Sequence, residues 1–525
     1  MEHIKLIPDW TYDESTKIIS TPDNPFVPHP KGLGHLLFES MKKHSKNVAQ
    51  INGETGELDY YSSFFERSLR TAIEMKSRGI KPKDVVSVCS HNHMNSHLPL
   101  ISAAFVGAHL AALDPALSEE DIKHLVNEVD LKLIFVDEKS EATIRKVVNE
   151  SKLSTQIIVF ERDFGEFVEP KKDEEEFQPF IPDSLDETAL ILFSSGTTGL
   201  PKGVCLSHAY ILYYSNDQVL DVSLAFTSLY WISVTILMTT IIIQGKARLV
   251  CKRFDSKQIW YDINEFKVNY LFLSPYYTNQ MVENKPEDFT SSLIAMVIAG
   301  NQMSSEELKT ARAAMPNTVV FFCYGQTELT FLANPLYEIV WTKPNSVGCP
   351  VTGVTYKIVD PETEQTVGLN ESGELRVKCK YVMNGYYKKD SRDAWDEDGF
   401  LKTGDVCYFD KDFCLYVVDR VKEMFKFREI HYVPAKVECL LQKHPEIEMS
   451  VIVGVPHPED QNHALAVVVR KEGSKIESQE IIDYVDKHID NDVLKLRAGV
   501  KFVERMPLTP SGKINRRTLK KMFTK

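Results

Sequence analysis

Cysteine pairs at metal-binding spacing are absent from this sequence of 525 residues. The nine cysteines are scattered along the chain, odd in number, and never arranged as Cys-x-x-Cys. This distribution argues against a structural zinc site and against a disulfide framework, and it favours a reducing compartment. We therefore expect the chemistry of this protein to come from other side chains.

A positive charge excess is also missing, since the net charge is −13. A general nucleic-acid binder shows a basic face, so we expect no nucleic-acid partner, whereas one bound nucleotide needs only a few local donors. The segment from Met1 to Trp10 lacks the apolar core of a signal peptide, and the final tripeptide is not the Ser-Lys-Leu peroxisomal signal. A cytoplasmic location is the expectation.

Long apolar runs are scarce as well. One uncharged stretch, from Val222 to Gly245, could be mistaken for a membrane span, but serine, threonine and glutamine recur through it. A span requires about 20 predominantly apolar residues. We interpret the stretch as a buried strand and helix, and we expect a monomer or weak oligomer without a transmembrane segment.

What the sequence does contain is an alternation of two kinds of segment. Short apolar runs rich in β-branched residues predict buried strands, and amphipathic segments between them predict helices. Such alternation is typical of an α/β fold with mainly parallel sheets covered by helices. The length predicts more than one domain, and we expect a large N-terminal domain over residues 1–419 and a small mobile α/β domain over residues 420–525.

A glycine-rich segment with four hydroxyls and a lysine follows one of the predicted strands. Its backbone amides, hydroxyls and ammonium group can donate to phosphate oxygens, and its glycines permit close approach of an anion. It does not meet the Walker A spacing, and the plain alternative is a glycine-rich hairpin turn. The expected phosphate-binding residues are Ser194, Ser195, Gly196, Thr197, Thr198, Gly199 and Lys202.

Four further motifs follow in order along the chain: Tyr324-Gly325-Gln326-Thr327-Glu328, Thr403-Gly404-Asp405, Asp419-Arg420-Val421-Lys422 and Pro510-Ser511-Gly512-Lys513-Ile514. With the phosphate loop, this set resembles the signature of the acyl-adenylate-forming superfamily. That superfamily includes acyl-CoA synthetases, 4-coumarate–CoA ligases, insect luciferases and peptide-synthetase adenylation domains. The resemblance covers nearly the whole chain and implies activation of a small-molecule carboxylic acid by ATP, giving acyl-AMP and pyrophosphate.

The resemblance also implies a role for each matched residue. Lys513 bridges the carboxylate and the α-phosphate in the transition state, Thr327 contacts the α-phosphate, and Glu328 binds Mg²⁺. Tyr324, followed by Gly325, stacks on adenine, while Asp405 and Arg420 reach the ribose. Considered alone, Lys513 would be a surface lysine in a basic tail, Asp405 a turn residue and Tyr324 a core residue. The segment from Asp419 to Lys422 is the implied hinge.

The sequence departs from the family pattern around the expected acid pocket. Trp231 stands where beetle luciferases carry a histidine, and Gly300-Asn301-Gln302 stands where many members have a run of smaller residues. We therefore expect these four residues to line the pocket and the acid to differ from beetle luciferin.

A second departure concerns the fate of the acyl adenylate. Arg428-Glu429 stands where the family commonly carries Lys-Gly, beside the tunnel for the pantetheine of CoA. A glutamate adds bulk and negative charge there, which favours oxidation of a luciferin-like acid by O₂ with light emission. Transfer of the acyl group to CoA is the alternative. A non-catalytic nucleotide-binding protein is a third reading, and the intact Lys513, Asp405 and Glu328 oppose it.

Overall fold

The computed structural model describes residues 10–194, 201–216, 219–287, 291–336, 338–343, 345–428, 430–508 and 514–523. Strands and helices are numbered in chain order. The central sheet has seven strands in the order β15-β14-β13-β11-β12-β3-β4, parallel throughout except for the β3–β4 pair. Its strands are β3 Val48–Asn52, β4 Leu58–Tyr60, β11 Val222–Ala225, β12 Ala247–Val250, β13 Tyr270–Leu273, β14 Ala295–Ile298 and β15 Val319–Phe322.

A second seven-stranded sheet has the order β19-β10-β9-β6-β5-β7-β8. Its pairs are parallel except for β9–β10 and β10–β19. Its strands are β5 Val85–Cys89, β6 His109–Leu110, β7 Leu131–Val136, β8 Gln156–Val159, β9 Thr188–Phe193, β10 Gly203–Ser207 and β19 Gly385–Tyr386. The segment expected to bind phosphate connects β9 to β10.

The third seven-stranded sheet is antiparallel throughout, with the path β1-β2-β16-β18-β20-β21 and β17 beside β16. Its strands are β1 Thr11–Asp13, β2 Ile18–Ser20, β16 Val354–Val359, β17 Thr366–Val367, β18 Gly373–Cys379, β20 Leu401–Phe409 and β21 Leu415–Arg420. The expectation of mainly parallel sheets holds for the first two sheets and is wrong for this one.

Helices cover the two parallel sheets. Within α2, Phe64, Ser68, Thr71 and Met75 recur at helical spacing and are fully buried. The helices of the N-terminal part are α1 Gly32–Lys43, α2 Tyr61–Ser77, α3 Leu98–Val106, α4 Glu119–Glu128, α5 Glu138–Glu150, α6 Gly165–Val168, α7 His208–Tyr214, α8 Ile232–Gln244, α9 Gln258–Glu265, α10 Pro275–Glu283, α11 Ser305–Ala314 and α12 Glu338–Trp341.

The C-terminal part after β21 has its own small core. A hairpin of β22 Phe425–Phe427 and β23 Ile430–Tyr432 precedes a three-stranded sheet of β24 Ile447–His457, β25 Gln461–Arg470 and β26 Gly499–Phe502. Its helices are α13 Pro434–Leu441, α14 Ser478–His488 and α15 Arg516–Phe523. This confirms the α/β fold with a large N-terminal and a small C-terminal part. The boundary between residues 419 and 420, and the mobility of the small domain, stay predictions.

The uncharged stretch from Val222 to Gly245 folds as β11 and α8. Helix α8 has 13 residues and ends at Gly245, whose φ of 65° closes it in the left-handed conformation that favours glycine. Among the described residues, no helix is long and apolar enough to cross a membrane. The nine cysteines all lie within the described residues, and none of them forms a disulfide there.

Candidate active site

Parallel strands of the central sheet bring separate parts of the sequence to one edge. Strands β11, β14 and β15 run in the same direction, so the segments that follow Ala225, Ile298 and Phe322 leave the same end of the sheet. Ligands of α/β proteins commonly bind outside the carboxyl ends of such strands. These segments contain Trp231, the 300–302 run and the 324–328 motif.

Asp405 is the centre of the most developed polar cluster at this edge. Its side chain is almost fully buried, and its Oδ1 lies 2.7 Å from Nε of Arg420, which faces it across the β20–β21 pair. Its Oδ2 accepts hydrogen bonds from the Tyr324 hydroxyl and the Gln326 amide. The structure therefore brings together Tyr324, Asp405 and Arg420, as expected, and adds Gln326, which the sequence analysis did not single out.

The groups in this cluster raise the pKa values of Tyr324 and Arg420. Burial and the neighbouring Asp405 carboxylate raise the pKa of Tyr324, so its hydroxyl keeps its proton and donates. Burial alone would lower the pKa of Arg420, but the combined attraction of Asp405, Tyr324, Glu328 and Glu423 outweighs it and the pKa is raised. Because each carboxylate oxygen has two acceptor positions, Oδ1 keeps one position for a further donor beside its contact with Arg420.

The turn that carries the 324–328 motif admits only glycine at its second position. A Cβ on Gly325 would lie 1.7 Å from the carbonyl oxygen of Thr330, which no side chain tolerates. The turn is also tied to α7, because the Tyr210 hydroxyl donates to the carbonyl oxygen of Thr327 over 2.9 Å. Thr327 is therefore held in place by its backbone, and its side chain is left for another contact.

Glu328 lies next to the expected phosphate-binding segment. The Tyr386 hydroxyl donates to Oε1 of Glu328 over 3.3 Å, and Nζ of Lys202 lies 4.6 Å from the centre of the Tyr386 ring. Burial raises the pKa of Glu328. A single carboxylate beside a phosphate site is the protein contribution that Mg²⁺ usually takes, so this arrangement fits the metal that the resemblance implies.

The pairing of β9 with β10 fixes the two ends of the phosphate-binding segment. The backbone N–H of Ser194 donates to the carbonyl of Lys202 over 2.9 Å, and the N–H of Lys202 donates to Ser194 Oγ over 3.2 Å. The Lys202 side chain is exposed. The five remaining residues expected to bind phosphate lie outside the described part of the chain, namely Ser195, Gly196, Thr197, Thr198 and Gly199.

The residues expected to line the acid pocket lie at the same edge. Trp231 precedes the first turn of α8 and its indole N–H donates to Asp114 Oδ2 over 3.2 Å, beside the Ser228 hydroxyl at 2.8 Å. Gly300 has a φ of 101°, which favours glycine. Asp114 and Ser228 were missed because they act through Trp231, and no motif marks them.

The other two expected pocket residues are exposed. Asn301 and Gln302 follow β14 and lie at the surface. The Gln302 amide donates to the carbonyl oxygen of Val418 over 3.2 Å, which ties the central sheet to the strand before the expected hinge. Their role in acid binding stays a prediction.

The expected hinge, residues 419–422, lies between two residues that contact the C-terminal part, Asp419 and Glu423. Asp419 accepts the N–H of Ala435 over 3.0 Å and so caps α13, and burial raises the pKa of its carboxyl group to about 6. Lys422 is exposed in the turn that follows. Arg516, at the start of α15, pairs with Glu423 and lies 2.7 Å from Glu438. Lys513 lies outside the described residues, three positions before this anchor.

Two sequence profiles match the chain. That of AMP-binding enzymes matches residues 37–387, and that of the AMP-binding enzyme C-terminal domain matches residues 436–513. Among curated proteins, the chain is 28% identical to a luciferin 4-monooxygenase of Photuris pensylvanica, with 98% of this chain and 99% of that protein covered. It is also 28% identical to 4-coumarate–CoA ligase-like 2 of Arabidopsis thaliana, covering 97% of this chain and 94% of that protein.

A solved structure extends the comparison. The luciferase-like enzyme from the nonluminescent Zophobas morio mealworm is 36% identical and superposes with a TM-score of 0.72. The match covers 77% of this chain and 99% of the mealworm chain. Relatives named as luciferin monooxygenase and as CoA ligase-like protein thus both match this chain over nearly its whole length.

Proposed function

Because the chain belongs to the AMP-binding enzyme family and is an adenylate-forming enzyme, we propose that it adenylates a luciferin-like carboxylic acid with ATP and then oxidises the acyl adenylate with O₂, with emission of light. The first step joins the acid carboxylate to the α-phosphate and releases pyrophosphate. The second requires an acid with an acidic α-carbon.

Adenylation brings two anions together, so its catalysis is chiefly charge neutralisation and in-line positioning. Lys202 and the hydroxyls of the 194–199 segment bind the leaving phosphates. Asp405 and Arg420 hold the ribose, and Tyr324 stacks on the adenine. Glu328 holds Mg²⁺, which supplies positive charge to the phosphates when bound. Lys513 provides the cation that bridges the reacting carboxylate and the α-phosphate.

The observation that carries the oxidative second step is Glu429, where the family has glycine. Glu429 itself lies outside the described residues, but its neighbour Arg428 is described and has a φ of 48° in the hairpin turn. The Arg428 guanidinium pairs with Asp460 over 2.6 Å. The adjacent cation is thus already paired with a carboxylate, and we propose that the charge of Glu429 opposes the CoA phosphates.

Transfer of the acyl group to CoA is the second candidate. The 28% identity to a 4-coumarate–CoA ligase and the 36% identity to an enzyme of a nonluminescent mealworm both favour it. The two candidate functions share the adenylation site. They differ in the second reactant, which is O₂ in the first and CoA in the second.

Replacing Glu429 with glycine separates the two fates. A carboxylate costs about 1 kcal/mol against a phosphate charge 4 Å away in bulk water and several times more in a partly desolvated site. We expect slow acyl-CoA formation by the native chain and a gain of about tenfold or more in Glu429→Gly, with adenylation unchanged.

The assay measures acyl-CoA and light with the best acid from a pyrophosphate-exchange screen, with Arg428→Ala as the matched control in the same turn. Fast ligation by the native chain, with no gain in the variant, would make the CoA ligase the better assignment.

A substitution in the expected hinge tests the domain rotation. Lys513 and the 428–429 turn are both in the small domain and cannot serve one site at the same time. Lys422→Pro fixes φ and removes an N–H donor, while hinges absorb domain motion in a few dihedral angles. We expect Lys422→Pro to slow one of the two steps, adenylation or the reaction of the adenylate, about tenfold more than the other. Lys422→Ala should slow neither step. Single-turnover measurements of each half-reaction check this, and equal slowing of both would argue against a hinge at this position.

A further inference from the structure

Tyr386 contacts two residues of opposite charge in the candidate active site. Its hydroxyl donates to Oε1 of Glu328 over 3.3 Å, and Nζ of Lys202 lies 4.6 Å from the centre of its ring. An ammonium group at such a distance is attracted by the face of a tyrosine ring. One side chain therefore contacts both the expected metal ligand and the expected phosphate-binding lysine.

The backbone around Tyr386 is joined to the segments that carry both of these residues. Tyr386 ends β19, where it pairs with Val204 of β10, two positions after Lys202. Three positions before Tyr386, the N–H of Met383 donates to the carbonyl oxygen of Glu328 over 3.0 Å. The main chain thus fixes the distance of Tyr386 from Lys202 on one side and from Glu328 on the other.

A tight turn leaves the backbone of Tyr386 little freedom. Its N–H donates to Oγ of Ser391 over 2.7 Å. The preceding Gly385 has a φ of 119°, and a Cβ at that position would lie 3.0 Å from the same Ser391 oxygen. The conformation therefore favours glycine before Tyr386, and the serine hydroxyl holds the turn closed. These contacts indicate that the tyrosine ring is held in one place.

Lys202 and Glu328 carry opposite charges, and no ion pair joins them within the described part of the chain. Lys202 contacts the face of the Tyr386 ring, and Glu328 contacts the hydroxyl of the same ring. A direct ion pair would use the positive charge needed for the phosphates and the carboxylate needed for Mg²⁺. The phenol contacts each of the two residues and so takes the place of that ion pair.

We propose that Tyr386 is a positioning residue of the nucleotide site, which keeps Lys202 available for phosphate and Glu328 available for Mg²⁺ by preventing the two from pairing. This inference rests on the proposed function. The hydroxyl orients the carboxylate, as hydrogen bonds to metal-ligating carboxylates do in general. The ring face holds the ammonium group without neutralising its charge.

Two variants of Tyr386 separate the contributions of hydroxyl and ring. Tyr386→Phe removes the hydroxyl and keeps the ring, whereas Tyr386→Leu removes both. We expect Tyr386→Phe to weaken ATP binding about threefold to tenfold with Mg²⁺ and to leave it unchanged with EDTA. Tyr386→Leu should weaken ATP binding in both conditions, by about tenfold or more with Mg²⁺, because Lys202 then pairs with Glu328. Equilibrium titration measures each Kd.

The Lys202→Met background distinguishes positioning from a merely structural role. No ammonium group is left there to pair with Glu328, so Tyr386→Leu should cost no more than Tyr386→Phe. Electron paramagnetic resonance of Mn²⁺ in the presence of ATP reports on the metal site itself, and the Kd of Mn²⁺ should rise in both Tyr386 variants. Tyr387→Phe removes a hydroxyl one position along the chain and serves as the matched control, with every Kd unchanged.

Two results would overturn the inference. One is native affinity for ATP and Mn²⁺ in the folded Tyr386→Phe and Tyr386→Leu variants. The other is an equal additional loss in Tyr386→Leu with and without Lys202, since a structural role does not depend on that lysine. Tyr386→Phe keeps the test decisive should Tyr386→Leu fail to fold. Native binding of ATP and Mn²⁺ without acid-dependent exchange would contradict the proposed function alone, because these Kd values are measured without the acid.

Discussion

Replacing Lys513 with alanine is expected to lower the rate of adenylation by at least about a hundredfold while ATP binding persists. The Lys513 charge is proposed to act where negative charge accumulates between the carboxylate and the α-phosphate. An interaction made mainly in the transition state lowers kcat when it is removed and leaves ground-state binding nearly intact. Acid-dependent ATP–pyrophosphate exchange measures the first quantity, and equilibrium titration with ATP measures the second.

The C-terminal segment offers a matched control for this experiment. Lys501 is an exposed lysine on β26, in the same small domain, and Lys501→Ala should leave both quantities unchanged. Equal exchange rates in the native chain and Lys513→Ala would remove Lys513 from the mechanism. A parallel loss of ATP affinity would instead assign it a role in ground-state binding.

Replacing Asp405 with asparagine is expected to weaken ATP binding by about tenfold to a hundredfold. The substitution keeps the size of the side chain but removes the charge that Arg420 faces over 2.7 Å. It also turns an amide N–H₂ group towards donors, because Tyr324 and Gln326 both donate to Asp405. We expect the ribose to lose its proposed acceptor and the hydrogen bonds among Tyr324, Gln326 and this side chain to weaken.

Binding of ATP and of the acid should respond differently to this change. We expect the Kd of ATP to rise, with the KM of the acid nearly constant, since Asp405 is not proposed to touch the acid. Asp393→Asn, at an exposed position before β20, serves as the control. A native ATP affinity in Asp405→Asn, measured on folded protein, would exclude Asp405 from the nucleotide site.

Much of the α/β framework follows from local patterns, because buried strands of parallel sheets are short β-branched runs. The runs at residues 85–89 and 133–136 form β5 and β7, which pair in parallel. The third sheet was not predicted as one unit, because one of its pairs joins strands far apart in sequence, with Tyr356 on β16 beside Ile19 on β2. Local periodicity carries no information on such pairings.

The residues of the candidate site were also predicted only in part. The motif pattern pointed to Tyr324, Asp405 and Arg420, and the fold brings them into one hydrogen-bonded cluster. Gln326 was passed over because the family motif leaves its position variable, although its amide completes the cluster.

The measurement that tests the central claim most directly is ATP–pyrophosphate exchange across a panel of carboxylic acids, run with the native chain and Lys513→Ala side by side. The claim is that this chain activates a carboxylic acid as its acyl adenylate. It predicts exchange that depends on the acid, requires Mg²⁺ and disappears in the variant. Tight ATP binding without exchange for any acid, in both proteins, would contradict the claim and leave a nucleotide-binding protein without adenylating activity.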